Sequence, residues 1–269
     1  MGCCQGKPGG LSKAERDSRW RNTGIVGLRD SNLKELPAEV VKLAVSIRTL
    51  DATHNRLVEL PPEIENFINL QRLMLAENSL QRLPSTLGRL HSLKVLVLDS
   101  NQLSILPDEV GLLVRLERMS VSRNTLKSLP TSLGSIRSLV RLDVSENKLE
   151  ALPGSLGSCF SLEELVANDN MLQELPSSFG SLGNLKTLVL NNNPKLKQLP
   201  PLLLRDCKAL QSLSLHGTLI NADRLYQMEG FEGFEGRRKR KHDKQIDSNV
   251  MIDSRGFDEG VDLHIMTPS

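Results

Sequence analysis

Between roughly residues 23 and 221 the apolar positions follow one compound rhythm. Leu93, Leu96 and Leu98 are followed by Asn101, Leu103, Leu106 and Pro107, and the same order, L-x-x-L-x-L-x-x-N-x-L-x-x-L-P, returns along the chain. Its asparagines (Asn55, Asn78, Asn101, Asn124, Asn147, Asn170 and Asn193) are each separated from the next by 23 residues. A fixed period of this length marks an array of stacked units. The spacing places Leu93, Leu96 and Leu98 on the inward side of a short strand. Asn101 then turns the chain inward, where an amide can satisfy backbone groups that would otherwise be buried unpaired. Leu103 and Leu106 cover the opposite side of the coil, and Pro107 prevents the strand from continuing.

This pattern resembles the leucine-rich repeat family. The resemblance implies an α/β solenoid, a horseshoe with a concave parallel β-sheet, short 3₁₀ or helical turns on the convex side and helical caps. A weaker first unit carries Val26, Leu28, Leu33, Leu36 and Pro37, with Ser31 at the asparagine position. A last one carries Leu210, Leu213 and Leu215, with Thr218 there; the step from Leu185 to Leu210 lengthens to 25 residues. About nine units result, with atypical ends, as capping requires. The expected organisation is an N-terminal segment over 1–22, the array over 23–221, a capping helix and basic run over 222–244 and a disordered tail over 245–269.

Ser12-Lys13-Ala14-Glu15 has the form of a capping box, predicting a short helix from about Lys13 towards Arg21, with Trp20 on the open edge of the first unit. Beyond the last unit, Met228, Phe231 and Phe234 recur at three-residue steps, consistent with an apolar stripe over the other edge. Gly230, Gly233 and Gly236 argue against a long helix there.

Cys3, Cys4, Cys159 and Cys207 show no C-x-x-C spacing and no cysteine-rich cap, which points to a reducing compartment. The chain has no N-x-[ST] sequon, no apolar run long enough to span a bilayer and no secretory h-region at its start. The formal net charge is +2 but uneven: residues 1–22 hold five basic and two acidic side chains, whereas 23–230 hold 22 of each sign. A neutral array with basic flanks is expected in the cytoplasm.

Met1-Gly2-Cys3-Cys4-Gln5-Gly6-Lys7 matches an acylation signal, except that Gly6 stands where Ser or Thr is usual. Myristoylation of Gly2 and palmitoylation of Cys3 and Cys4 are the expected modifications. One myristoyl chain gives an association constant of only about 10⁴ M⁻¹, so a second chain or a polybasic patch is needed for stable anchoring. Lys7, Lys13, Arg16, Arg19 and Arg21 follow close behind. A peripheral position on the inner face of the plasma membrane is expected. The second basic run, Arg237, Arg238, Lys239, Arg240 and Lys241, has three readings: a solvated helix end, an anionic-membrane contact or a nuclear localisation signal.

Strand alternation assigns the concave face. Arg72, Val95, Arg118, Arg141 and Glu164 precede the middle leucine of successive units, and Met74, Val97, Ser120 and Asp143 follow it. Met74, Val95 and Val97 form an apolar cluster beside a basic ladder of Arg118 and Arg141, flanked by Arg72 and Arg123. Apolar contact rimmed by arginine suits a protein-binding surface. No H-E-x-x-H, Walker loop or nucleophile elbow appears, so no catalytic residue, metal site or cofactor is assigned.

Within the larger family, Leu83-Pro84-Ser85-Thr86-Leu87-Gly88-Arg89-Leu90 and Leu129-Pro130-Thr131-Ser132-Leu133-Gly134-Ser135-Ile136 resemble the intracellular Ras-group leucine-rich repeat proteins, a group represented in plants. That resemblance implies a signalling scaffold near small GTPases or phosphatases, with a protein partner. No nucleic acid, no small-molecule substrate and a monomeric chain are expected. The alternative is an unanchored cytosolic or nuclear inhibitor, or a regulatory subunit of a phosphatase or GTPase.

Overall fold

A computed structural model describes residues 13–247. Nine three-residue strands form one parallel sheet in strict chain order. They are β1 (Ile25–Gly27), β2 (Thr49–Asp51), β3 (Arg72–Met74), β4 (Val95–Val97), β5 (Arg118–Ser120), β6 (Arg141–Asp143), β7 (Glu164–Val166), β8 (Thr187–Val189) and β9 (Ser212–Ser214). The registers place Leu73 beside Leu96, Leu96 beside Met119 and Leu142 beside Leu165, so the middle residues stack into a continuous apolar spine. Each of these side chains is fully or almost fully buried.

Both ends are capped. The helix α1 (Lys13–Thr23) covers β1 and buries Trp20, whose ring carries the Arg16 guanidinium 4.8 Å from its centre. Its start matches the expected position, although Ser12 lies outside the described residues.

On the convex side the first unit returns through a short helix, α2 (Ala38–Lys42), and the long eighth unit through another, α3 (Leu203–Asp206). Between them the chain uses 3₁₀ turns such as Ser85–Arg89, Asp108–Leu112, Thr131–Ser135 and Gly154–Ser158. Each of these four follows a proline in an extended conformation, Pro84, Pro107, Pro130 or Pro153. Proline lacks an N–H for the sheet and fixes φ, so it ends the extended segment and leads into the turn. Gly88, Gly111, Gly134 and Gly157 sit where these turns meet. A Cβ on Gly134 would lie 2.3 Å from the Ser155 carbonyl oxygen, and one on Gly111 2.5 Å from that of Ser132.

The asparagines bind unit to unit. Asn101 donates through Nδ2 to Leu75 O and Leu98 O, both at 2.9 Å, and its Oδ1 accepts from Leu80 N at 2.9 Å. The residue before each one has positive φ: His54, Glu77, Ser100, Arg123, Glu146, Asp169 and Asn192 all lie between 52° and 56°. This left-handed turn swings the asparagine under the sheet.

At the C-terminal end, a short helix α4 (Ala222–Tyr226) is capped by the Asn221 side chain, which accepts from Asp223 N at 2.7 Å. The helix α5 (Phe231–Asp247) then lies over the last unit, burying Phe234 and packing Phe231 against the core, with Met228 of the preceding connection beside it.

Here the structure differs from the expectation drawn from the glycines. The helix runs through Gly233 and Gly236 for 17 residues and past residue 244. Neither glycine meets backbone, and the helix is held by its buried face rather than by propensity. Gly230, with φ +89°, stands just before its first residue and separates it from α4.

Candidate protein-binding face

The concave surface displays one residue on either side of each buried strand centre. Arg72, Val95, Arg118, Arg141 and Glu164 are register neighbours in adjacent strands, as are Met74, Val97, Ser120, Asp143 and Val166. Met74, Val95 and Val97 are half-buried rather than open. They form a shallow apolar patch between the exposed Arg72 and Arg118.

The basic ladder is smaller than the sequence suggests. Arg141 is paired with Glu164 at 3.1 Å. Arg123 is not on the strand but in the left-handed turn below it, where its Nε donates to Glu146 Oε1 at 2.8 Å. Of these four arginines, Arg72 and Arg118 form no ion pair with any described residue. The opposite charges stand one period apart, so the neutralising partners were present in the sequence at a step of 23.

The repeat pattern puts Ser120 and Asp143 on the concave face, and the structure continues that polar strip into a floor below the strands. Asp99 Oδ1 accepts from Ser120 Oγ at 2.5 Å, from Ser122 N at 2.8 Å and from Ser122 Oγ at 2.8 Å. Asp143 Oδ1 accepts from Ser145 N at 3.0 Å. Asn168 Oδ1 accepts from Asn191 N, and Asn191 Oδ1 accepts from Ser214 Oγ, both at 2.8 Å. Asp99, Asp143, Ser122, Ser145 and Asn168 line a concave groove of about 460 Å³ that also includes Glu77, Glu146 and Asp169. Their signal in the sequence is position alone: all stand within the four residues before a repeated asparagine.

The basic run divides. Arg237 turns inward, donating from Nε to Leu210 O at 2.9 Å and from Nη2 to Leu204 O at 3.1 Å. It caps convex-side carbonyls and is a structural residue. Arg238 pairs with Glu235 at 3.4 Å, whereas Lys239 and Arg240 are exposed and Lys241 is half-buried. Gly2, Cys3 and Cys4 lie outside the described residues.

The thiols of Cys159 and Cys207 are fully buried, and burial pushes both up to about 11. Both are protonated at neutral pH and serve as small apolar side chains. His54 is shifted up by its hydrogen bond and charge interaction with Asp30 at the exposed N-terminal rim. Among the described residues no group of three or more His, Cys, Asp or Glu side chains could hold a metal ion. None of the helices described is long and apolar enough to cross a membrane.

A leucine rich repeat family model matches residues 45–103. Over 264 residues the chain is 66% identical to plant intracellular Ras-group-related LRR protein 7 of Oryza sativa subsp. japonica, covering 98% of this chain and 100% of that one. An LRR protein of Leptospira interrogans has a similar structure, with a TM-score of 0.73 and 34% identity over 78% of this chain; the chain spans 53% of its length. The plant peptide hormone receptor RGFR1, solved in complex with RGF2, gives a TM-score of 0.56 and 29% identity over 68% of this chain and 34% of its own. The repeat, the stacked sheet and the alignment over the whole rice protein agree, and the chain belongs to the plant intracellular Ras-group-related LRR proteins.

Proposed function

We propose that this chain is a non-enzymatic scaffold of intracellular signal transduction, which receives a protein partner on its concave face. The observation behind this reading is the pair of exposed, unneutralised guanidinium groups, Arg72 and Arg118, on either side of the half-buried Met74, Val95 and Val97. Aromatic and aliphatic side chains of a partner can cover the patch while its carboxylates meet the arginines. The receptor of similar fold was solved with RGF2 bound, and the rice relative is described as intracellular. Small GTPases and phosphatases are the partner classes in view.

Acylation of Gly2, Cys3 and Cys4 would hold the scaffold at the inner face of the plasma membrane, with Lys239 and Arg240 adding attraction to anionic lipid. The exposure of those two side chains also suits the second reading, an unanchored regulator or inhibitor carried into the nucleus by the basic run.

Two measurements test these claims. Wild type and Gly2→Ala are labelled with a myristate analogue and fractionated: a labelled, sedimenting wild type with a soluble variant supports anchoring. An unlabelled wild type that stays soluble, like the variant, discards it. Arg72→Glu plus Arg118→Glu should weaken partner capture at least about tenfold without lowering the melting temperature, since neither arginine is ion-paired. Undiminished capture would exclude the upper concave face.

A further inference from the structure

The lower half of the concave face has a different chemistry from the arginine-bearing upper half. From the third unit to the seventh, the groove is lined by Glu77, Asp99, Asp143, Glu146 and Asp169 against a single cation, Arg123. Five carboxylates and one guanidinium leave a net charge of −4. Arg123 registers this field: its guanidinium is held above the ordinary arginine range, first by its bond to Glu146 and further by the charges of Asp99 and Glu77. The internal bonds occupy only one oxygen each of Asp99 and Asp143, and no described residue bonds to Oδ2 of either.

A second observation comes from the floor. Ser145 lines the groove at only 8% exposure, and its Oγ has no hydrogen-bond partner. One unit earlier, Ser122 at the equivalent place donates to Asp99, one period before it; the residue one period before Ser145 is Ser122, not an aspartate. A buried hydroxyl without a partner is destabilising, and it marks the one place on the floor where the serine–aspartate bond of the preceding unit is missing. The carboxylates come from the third, fourth, sixth and seventh units, the fifth supplying Ser122 and Arg123 instead, and among the described residues no group of three or more could hold a metal ion.

We propose that this groove binds an extended, lysine- or arginine-rich segment of a partner protein, laid along the row of carboxylates. The geometry sets its length. Four steps between neighbouring strands, at about 4.8 Å each, span about 19 Å, which about six extended residues cover at ~3.3 Å per residue. Carboxylates of the third, fourth, sixth and seventh units meet the ammonium or guanidinium groups on either side of Arg123. The inference rests on the concave sheet being the docking face and adds the sign and shape of what docks there.

The test uses the full chain and two labelled peptides, hexalysine and hexaglutamate, followed by fluorescence anisotropy at low and physiological salt. Wild type should bind hexalysine and not hexaglutamate; failure to bind hexalysine overturns the proposal. Glu77→Gln plus Asp169→Asn should weaken hexalysine binding about tenfold. Both side chains are exposed, and an amide at position 169 keeps an oxygen to accept the bond from Asn192. The control Glu63→Gln plus Glu65→Gln removes the same charge from a convex turn and should change binding less than about twofold. Equal weakening in both variants would reduce the effect to net charge and equally overturn the proposal.

Partner capture separates this inference from the reading beneath it. Capture lost in Arg72→Glu plus Arg118→Glu but unaffected by Glu77→Gln plus Asp169→Asn keeps the concave face and discards the groove. Capture unaffected by either discards both. Sedimentation of the peptide-free chain supplies the remaining outcome: a dimer that dissociates on Lys239→Glu plus Arg240→Glu would give the groove to a second copy and overturn a foreign occupant.

Discussion

A single asparagine stands in for several backbone partners in each unit. Asn124 donates to Leu98 O, Val121 O and Ser122 O at 3.0, 3.1 and 2.9 Å, and accepts from Leu103 N at 3.0 Å. Asn124→Ala would strand these buried groups, so a loss of about 3 kcal/mol is expected in a urea titration. A loss below about 1 kcal/mol would mean that water replaces the amide. The buried thiols carry a second prediction. For Cys159, raised from near 9 to about 11, folding favours the protonated form. The resulting stability is present below pH 9 and lost as pH rises through 11. The stability gap between wild type and Cys159→Ala should therefore narrow as pH is raised through that window; a constant gap would show that the thiol does not titrate there.

At the level of the element, the convex turns explain a residue that the repeat pattern displays without giving its reason. The glycine in L-P-x-x-L-G lets one 3₁₀ turn lie against the next, and Gly134→Ala would drive Cβ to 2.7 Å from Ser155 Cβ as well as into its carbonyl. Because the obstacle includes backbone, a loss of about 2–4 kcal/mol in thermal or urea unfolding is expected. Gly154 begins the next turn with only the Ser178 Oγ and Pro176 Cβ near its position, at 3.7 and 3.9 Å, and Gly154→Ala should stay within about 0.5 kcal/mol. Equal effects would mean that the turns move apart freely. The strands and asparagines were legible because all but the end units repeat at one period, and period is independent of tertiary context. The helix α5 was not, since Gly233 and Gly236 oppose it locally while Phe234 and Arg237 fix it to groups far away in sequence. The candidate site was half legible: alternation placed Arg72, Met74, Val95, Val97 and Arg118 on the concave face. It could not place Arg123, whose left-handed backbone takes it off the strand.

For the whole molecule, the sheet is open and every strand except the end ones pairs only with its two neighbours. Stability is then a sum over units and their interfaces, and the capping helices protect the two faces left without a neighbour. The asparagine ladder has a consequence for how such a chain can change length. Within the 23-residue units its bonds reach back into the preceding unit by a constant offset: Asn101, Asn124 and Asn147 each donate to a carbonyl 26 residues earlier and accept from an amide 21 residues earlier. Excising residues 108–130, one period, would join Pro107 to Thr131 and restore the L-P-x-x-L-G motif with Leu133 and Gly134. The shortened chain is expected to fold cooperatively with one strand fewer, as judged by circular dichroism and a single unfolding transition. Excising residues 109–130, one residue less, should leave a population that is unfolded or locally open at the junction; an equally stable product would show that the ladder tolerates a slip. Insertions and deletions in this chain are thus quantised, and the array behaves as a tape that can be cut and spliced only at whole repeats.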